Sequence, residues 1–229
     1  MTDLHHHDPS AAPDPLPPRL AAALEAVRLA AAEALRRFGD DSLGVSTKAD
    51  ASPVTEADIA AEGILRRELL GRFPDDGFLG EETGATSGTS GHVWVVDPID
   101  GTKSFIRGVP LWATLVGCRR GGIDGPGEVG VIAIPALGET VFAAAGAGAW
   151  HVRGGAAPVV ARVSARATLR GALVCSSAFT SFGDRPSSLG GGEAGRAARD
   201  RLEGAAGICR TWGDGYGYLL VATGRADAM

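Results

Sequence analysis

Residues 92–145 set the tightest limit on what this chain can fold into. His92-Val93-Trp94-Val95-Val96 is a short β-branched and aromatic run, the pattern of a buried strand. Residues 111–119, 128–134 and 139–145 repeat it, and glycine-rich turns at 121–127 and 135–138 join them as hairpins. Residues 149–153 add an edge. A sheet of this kind needs an apolar cover, and two helical segments precede it. Residues 19–38 form an Ala/Leu-rich helix stopped by Gly39, with Leu20, Leu24, Val27 and Leu35 on one face. Residues 55–72 form a second, opened by Pro53 and a capping box over Thr55-Glu56-Ala57-Asp58. Ile59, Leu65 and Leu69 give its core stripe, and Phe73-Pro74 ends it.

Near Pro158 the pattern changes to alternating strands and helices. Leu173-Val174-Cys175 reads as a strand, residues 187–192 as a glycine-rich loop and residues 193–202 as a short helix. A strand at 208–211 and a helix at 215–223, closed by Gly224, follow. Residues 226–229 read as the start of another strand. The predicted class is therefore α+β followed by α/β. The expected organisation is a disordered tail over 1–18, an α+β domain over 19–155 and an incomplete α/β domain over 156–229. The tail holds five of the 13 prolines and His5-His6-His7, a weak metal-binding run or an idle one.

Composition narrows the function. Hydrophobic residues make up 45% and charged residues 21%, which excludes wholesale disorder. A net charge of −5 argues against nucleic acid as a partner. No apolar run approaches membrane-spanning length, and no apolar segment follows the N-terminal charges as in a secretory signal. Cys118, Cys175 and Cys209 share no metal-ligand spacing and cannot all pair, so buried free thiols in a reducing compartment are expected. A cytoplasmic protein with no membrane partner is the resulting expectation.

The chemistry concentrates in Val93-Trp94-Val95-Val96-Asp97-Pro98-Ile99-Asp100-Gly101-Thr102. An apolar strand delivers Asp97 at its C-terminal end, and Pro98 turns the chain sharply so that Asp100 returns beside it. Two carboxylates and the Ile99 carbonyl are hard oxygens, suited to Mg²⁺ or Mn²⁺. An ordinary strand-to-turn junction, rich in Asp, Pro and Gly for local reasons, is the alternative. Gly80-Glu81-Glu82-Thr83-Gly84, just upstream, adds two acids that are either further ligands or solvated charges. A turn or helix starting at Gly101-Thr102 would aim backbone N–H groups at an anion. Together these parts describe metal-assisted phosphoryl transfer to water.

Phe78-Leu79-Gly80-Glu81-Glu82-Thr83, Trp94-Val95-Val96-Asp97-Pro98-Ile99-Asp100-Gly101-Thr102 and the segment 212–229 resemble the signatures of the inositol monophosphatase superfamily, in order over residues 19–229. The resemblance implies a layered αβαβα sandwich and a Mg²⁺-dependent phosphatase for small soluble phosphomonoesters, with two or three ions and Mn²⁺ as a substitute. It implies that Glu81, Asp97 and the Ile99 carbonyl hold one metal, and Asp97 and Asp100 a second. Thr102, with Glu81, would orient the attacking water, and Glu81, Ile99, Asp100, Gly101 and Thr102 would surround the phosphate. Asp58 matches an acid that hydrogen-bonds this threonine, or serves only its capping box. Lys48 matches a lysine near the site in relatives, or is an exposed loop residue. Homodimers are common in the family.

Thr211-Trp212-Gly213-Asp214-Gly215-Tyr216-Gly217-Tyr218 bears on the substrate. Where Gly213-Asp214 stands, inositol-type members usually carry small uncharged residues, and the pattern is similar to the histidinol-phosphate phosphatases of the superfamily. A carboxylate beside the substrate favours a cationic alcohol such as histidinol; a structural Gly-Asp turn or a helix N-cap at Asp214 is the alternative reading. Tyr216 and Tyr218 cannot share a helix face, so one packs inward. The expected function is hydrolysis of L-histidinol phosphate in histidine biosynthesis. An inositol-1-phosphate phosphatase of broad specificity and a non-catalytic metal-binding fragment are the alternatives. The resemblance also implies one more metal ligand, an aspartate of a Trp-Asp pair, which nothing after Asp214 matches. Asp227 corresponds to a different position. A truncated C-terminal part with an under-coordinated second metal is expected on that reading.

Overall fold

The computed structural model describes residues 12–40, 44–47, 53–184, 186, 188 and 190–229. The histidine run 5–7, most of the expected tail, Lys48 and parts of the 187–192 loop lie outside the described residues. The chain divides into two compact units, residues 1–161 and 162–229.

The first unit opens with α1 (Pro18–Arg37), which begins at a proline pre-set for the first helical turn and ends with Arg36 and Arg37 against the carbonyl end of the dipole. Gly39, at φ 78°, then turns the chain. The buried face of α1 is built on alanine: Ala22, Ala23, Ala26, Ala30, Ala31 and Ala34 lie alongside Leu20 and Val27. Leu35, expected inside, is 40% exposed. Small side chains let α1 lie close against α2 (Glu56–Arg72) and the sheet, and that leaves no room for a larger stripe. Helix α2 likewise buries Ala57, Asp58, Ala61, Glu62, Leu65 and Leu69, a run of four-residue spacings. Ile59 falls outside that spacing and is 57% exposed, which corrects the expected stripe.

An eight-stranded sheet receives these helices. Its strands are β3 (Gly77–Gly80), β4 (Gly84–Thr86), β5 (His92–Asp100), β6 (Ala113–Arg120), β7 (Gly127–Ile134), β8 (Glu139–Ala144), β9 (Gly148–Arg153) and β10 (Val159–Val160). Their order is β10-β9-β8-β7-β6-β5-β3-β4. The predicted meander from β5 to β9 is present, but β10 pairs beyond β9, so 149–153 is not the edge. Strands β3 and β4 were not legible in the sequence, because Gly77-Phe78-Leu79-Gly80 is too short and glycine-rich to show a period. A separate two-stranded ribbon, β1 (Val45–Thr47) with β2 (Pro53–Thr55), precedes α2.

One polar knot ties this unit together. Asp76, 3% exposed, accepts hydrogen bonds from Arg19 Nη2 at 2.9 Å, Ser90 Oγ at 2.6 Å and Trp94 Nε1 at 3.0 Å. The Arg19 guanidinium also stacks over Phe73, 4.5 Å from the ring centroid. The start of α1, the end of α2 and the centre of β5 thus converge on one carboxylate.

In the second unit, β11 (Leu173–Cys175) and β12 (Ile208–Arg210) pair in parallel, with α4 (Ser181–Asp184) and α5 (Gly192–Ala205) in the crossover. Helix α6 (Asp214–Ala222) follows, and Ala228 makes a single parallel bridge to Val174. Asp227 accepts from Ser164 Oγ at 2.5 Å and from the Leu173 N–H at 2.8 Å; the Ser164 bond leads the effects that hold its carboxyl below the ordinary range. Among the described residues no helix is long and apolar enough to cross a membrane.

Removing the Asp76 carboxylate would leave Arg19 and the Trp94 N–H without their shared acceptor. Asp76→Ala should therefore cost about 3 kcal/mol in denaturant unfolding. A loss below about 1 kcal/mol, the scale of an exposed pair, would show that the knot is dispensable.

Candidate active site

Among the described residues, strands β3 and β5 are the only parallel pair of the large sheet, and their register aligns Gly80 with Val96. The next residue on each strand path is an acid, so Glu81, just past the end of β3, and Asp97, still within β5, lie level with one another. Carboxyl ends of adjacent parallel strands are where α/β proteins build ligand sites. Asp97 is still paired opposite Leu115 of β6, after which the register slips until Asp100 faces Ala113. Pro98 lies in that irregularity, and its carbonyl accepts the hydroxyl of the fully buried Thr114 at 2.9 Å. The turn returns Asp100 to the same end of the sheet. Gly101, at φ 90°, then reverses the chain into α3 (Thr102–Phe105), a backbone angle that an L side chain would strain. Phe105 anchors this short helix in an aromatic cluster with Phe38 and Trp112, ring centroids 5.0–5.7 Å apart.

The electrostatics report how close the acids are. The carboxyl of Asp97 is pushed up to about 9, first by burial, then by the negative charges of Glu81 and Asp100 and by a hydrogen bond with Glu81. The Ile99 N–H, 3.2 Å from Asp97 Oδ1, opposes the shift. Among the described residues no three His, Cys, Asp or Glu side chains form a closed ligand cluster. What the site offers is a row of hard oxygens whose mutual repulsion a small divalent cation would relieve. The residues fit Mg²⁺ by donor type, and a thiolate- or imidazole-preferring metal fits poorly.

Thr102 lies beside this row. Its hydroxyl is 3.1 Å from the Ile99 carbonyl and 3.4 Å from Asp58 Oδ1. Asp58 Oδ2 meanwhile accepts the Thr55 N–H at 2.8 Å and the Thr55 hydroxyl at 2.6 Å, while Thr55 Oγ1 caps α2 through Ala57 and Asp58. The two geometric readings of Asp58 coexist, one on each oxygen.

Glu62 is the side chain at this site that the sequence reading missed. It is fully buried one turn beyond Asp58 on α2, accepting the Glu82 N–H on Oε2 at 2.8 Å and the Thr83 N–H on Oε1 at 2.7 Å. The signal was present: an acid spaced four residues from Asp58, in the row directly beside that of Ala57, Ala61, Leu65 and Leu69. Glu82 itself is half-buried in the turn, and Glu81 is exposed.

In the second unit, Asp214 is the one non-glycine residue with positive φ among the described residues, at 57°. It is not the N-cap; Gly213 is, and Asp214 is the first residue of α6. Its Oδ1 accepts the Ser177 hydroxyl at 2.8 Å, and its N–H donates back to Ser177 Oγ at 3.1 Å. A Cβ at position 213 would sit 2.2 Å from the Ser177 backbone, so only glycine allows this approach. Tyr216 packs inward and Tyr218 is exposed, as their spacing requires.

The fold and this arrangement of acids agree with the comparisons to known proteins. The chain belongs to the inositol monophosphatase family, whose profile matches residues 16–229. It is 40% identical over 210 residues to the histidinol-phosphatase of Chlorobaculum parvum, covering 92% of this chain and 75% of that protein. The histidinol-phosphatase of Mycobacterium tuberculosis is 41% identical over 194 residues, covering 83% and 69%. Among solved structures, the extragenic suppressor protein suhB of Bartonella henselae superimposes with a TM-score of 0.75 at 30% identity, over 90% of this chain and 75% of that one. The layered αβαβα sandwich expected from the resemblance is the fold of this chain.

The high Asp97 value carries a pH dependence. Unfolded, this carboxyl ionises near 3.8; folded, near 9. Between those values the folded chain holds a proton that the unfolded chain lacks, so stability falls as pH rises. Between pH 6 and 9, where carboxylates of ordinary pKa are already ionised, Tm in chelator should fall, and the fall should flatten in Asp97→Asn. Added Mg²⁺ should oppose it in the parent only. A parent and variant with the same pH profile would contradict the assignment.

Proposed function

We propose that the protein is a Mg²⁺-dependent phosphoric monoester hydrolase whose preferred substrate is L-histidinol phosphate. The observation that carries the reading is the level placement of Glu81 and Asp97 along the adjacent parallel strands β3 and β5, with Asp100 returned beside them. On this reading Glu81, Asp97, Asp100 and the Ile99 carbonyl would hold two or three ions, with Mn²⁺ as a substitute. Bound Mg²⁺ supplies the positive charge that neutralises the phosphoryl group as the transition state develops.

The chain's own groups do the rest. A hydroxyl has one proton and two lone pairs. With its proton directed to Asp58 or the Ile99 carbonyl, Thr102 Oγ1 presents lone pairs outward and orients a water. That water attacks phosphorus and its proton passes to Glu81. The P–O bond to the alcohol breaks, and the alcohol leaves with a proton from solvent. The backbone at Gly101 and Thr102 cradles the phosphate oxygens.

Asp214 supports the choice of ester. A non-glycine residue held at positive φ is strained, and strain of this kind concentrates at functional sites. Ser177 holds one carboxylate oxygen, and the other can meet the ammonium or imidazole of histidinol. The relatives from Chlorobaculum parvum and Mycobacterium tuberculosis described above carry the name histidinol-phosphatase, which favours this ester over inositol phosphate. Free thiols at all three cysteines suit a reducing, cytoplasmic setting.

Phosphate release with Mg²⁺ should be faster on histidinol phosphate than on inositol-1-phosphate, and Asp97→Asn should remove it. Activity within tenfold of the parent in that variant would overturn the site. Asp214→Asn keeps a residue tolerant of positive φ and deletes the charge. It should lower kcat/KM for histidinol phosphate by about 10- to 100-fold, the scale of a charge-assisted hydrogen bond. Glycerol phosphate should be affected much less; equal losses would make Asp214 a turn residue alone.

A further inference from the structure

Helix α2 meets the candidate active site twice. Asp58 reaches Thr102, and one turn later Glu62 reaches the turn that presents Glu81. Glu62 is fully buried and no cation pairs with it among the described residues. A buried carboxylate is costly to keep unless its oxygens are satisfied, and here each oxygen takes one backbone N–H of the Glu82-Thr83 segment. The fit is close from the other side too: a Cβ at Gly80 would lie 2.2 Å from Glu62 Oε1 and 2.4 Å from Cδ. Gly80 has no left-handed backbone angle to explain it, so the space taken by the Glu62 carboxylate is what requires glycine there.

We propose that Glu62 is a positioning residue: it fixes the turn at 80–83 so that Glu81 faces Asp97 and Asp100. The inference rests on the metal-dependent reading above. Without the two N–H contacts the turn has other conformations, in which Glu81 points to solvent and the row of acids is incomplete. The Glu62 side chain touches neither substrate nor metal on this reading and acts through Glu81 alone.

The test measures Mg²⁺ binding by calorimetry and the Mg²⁺-induced rise in Tm, with turnover as a third readout. Glu62→Gln, nearly isosteric, sets an amide N–H against a backbone N–H and breaks one contact. Gly80→Ala, from the opposite side, pushes the same carboxylate away while leaving α2 unaltered. Leu65→Ala, a buried neighbour on α2, is the control for simple destabilisation. Both site variants should weaken Mg²⁺ binding at least tenfold and shrink the Mg²⁺-induced Tm rise. Their KM for the phosphate ester at saturating Mg²⁺ should stay within about threefold of the parent. Leu65→Ala should lower Tm and leave Mg²⁺ affinity unchanged. If Glu62→Gln misfolds, Gly80→Ala decides alone. Parental Mg²⁺ affinity in a folded Glu62→Gln or Gly80→Ala overturns the positioning role and leaves the hydrolase reading intact. A parent that binds no Mg²⁺ overturns both.

Discussion

The parallel pairing of β3 with β5 is the constraint on which the candidate site depends. Side chains along a strand alternate faces, so a slip of one residue would turn Glu81 away from the end where Asp97 emerges. The alignment of Gly80 with Val96 brings two acids level, and the irregularity after Asp97 returns a third. The clustered charges disfavour the unligated protein more than the single Ile99 N–H contact favours it. Carboxylates gathered at a partly buried strand end repel, and the cost appears as a proton held on Asp97 far above its usual range. A row of acids whose repulsion a cation would relieve is what the metal-dependent reading proposed above requires.

Much of the first unit exists to hold that alignment. The alanine faces of α1 and α2 permit close packing on the sheet, and the Asp76 knot joins both helices to β5. The aromatic cluster beneath Thr102 fixes α3, so the reversal at Gly101 is anchored by apolar packing in addition to the short helix itself. Helix α2 does more than cover the sheet: its buried acids contact both the Thr102 segment and the Glu82-Thr83 turn. One amphipathic surface thus serves packing and site geometry together, and its two polar positions sit where a core stripe would ordinarily be apolar.

The antiparallel meander was legible because β-branched runs separated by glycine turns encode it locally. Asp97, Asp100 and Thr102 were legible for a similar reason: Asp-Pro-Ile-Asp-Gly-Thr packs the turn chemistry and the candidate ligands into one contiguous segment. Strand β3 was hidden, since four residues bounded by glycine carry no period, and the Glu81–Asp97 pairing is a long-range register that no local pattern states. The stripes on α1 and α2 were misread in the same way. Large apolar residues drew attention, whereas close helix packing selected alanine, and Leu35 and Ile59 face outward. Glu62 was missed because a buried acid satisfied only by backbone N–H groups has no partner residue to betray it in the sequence.

Direct titration of Asp97 tests the central claim, that parallel strand ends gather carboxylates for a cation to relieve. Carbon-13 NMR of aspartate-labelled protein, assigned by comparison with Asp97→Asn, would follow its carboxyl carbon with and without Mg²⁺. Asp97 should titrate near pH 9 in chelator and shift strongly downward, toward ordinary carboxylate values, at saturating Mg²⁺. A midpoint near 4 in both conditions would mean that Asp97 feels neither its neighbours nor the metal, and would contradict the site as described.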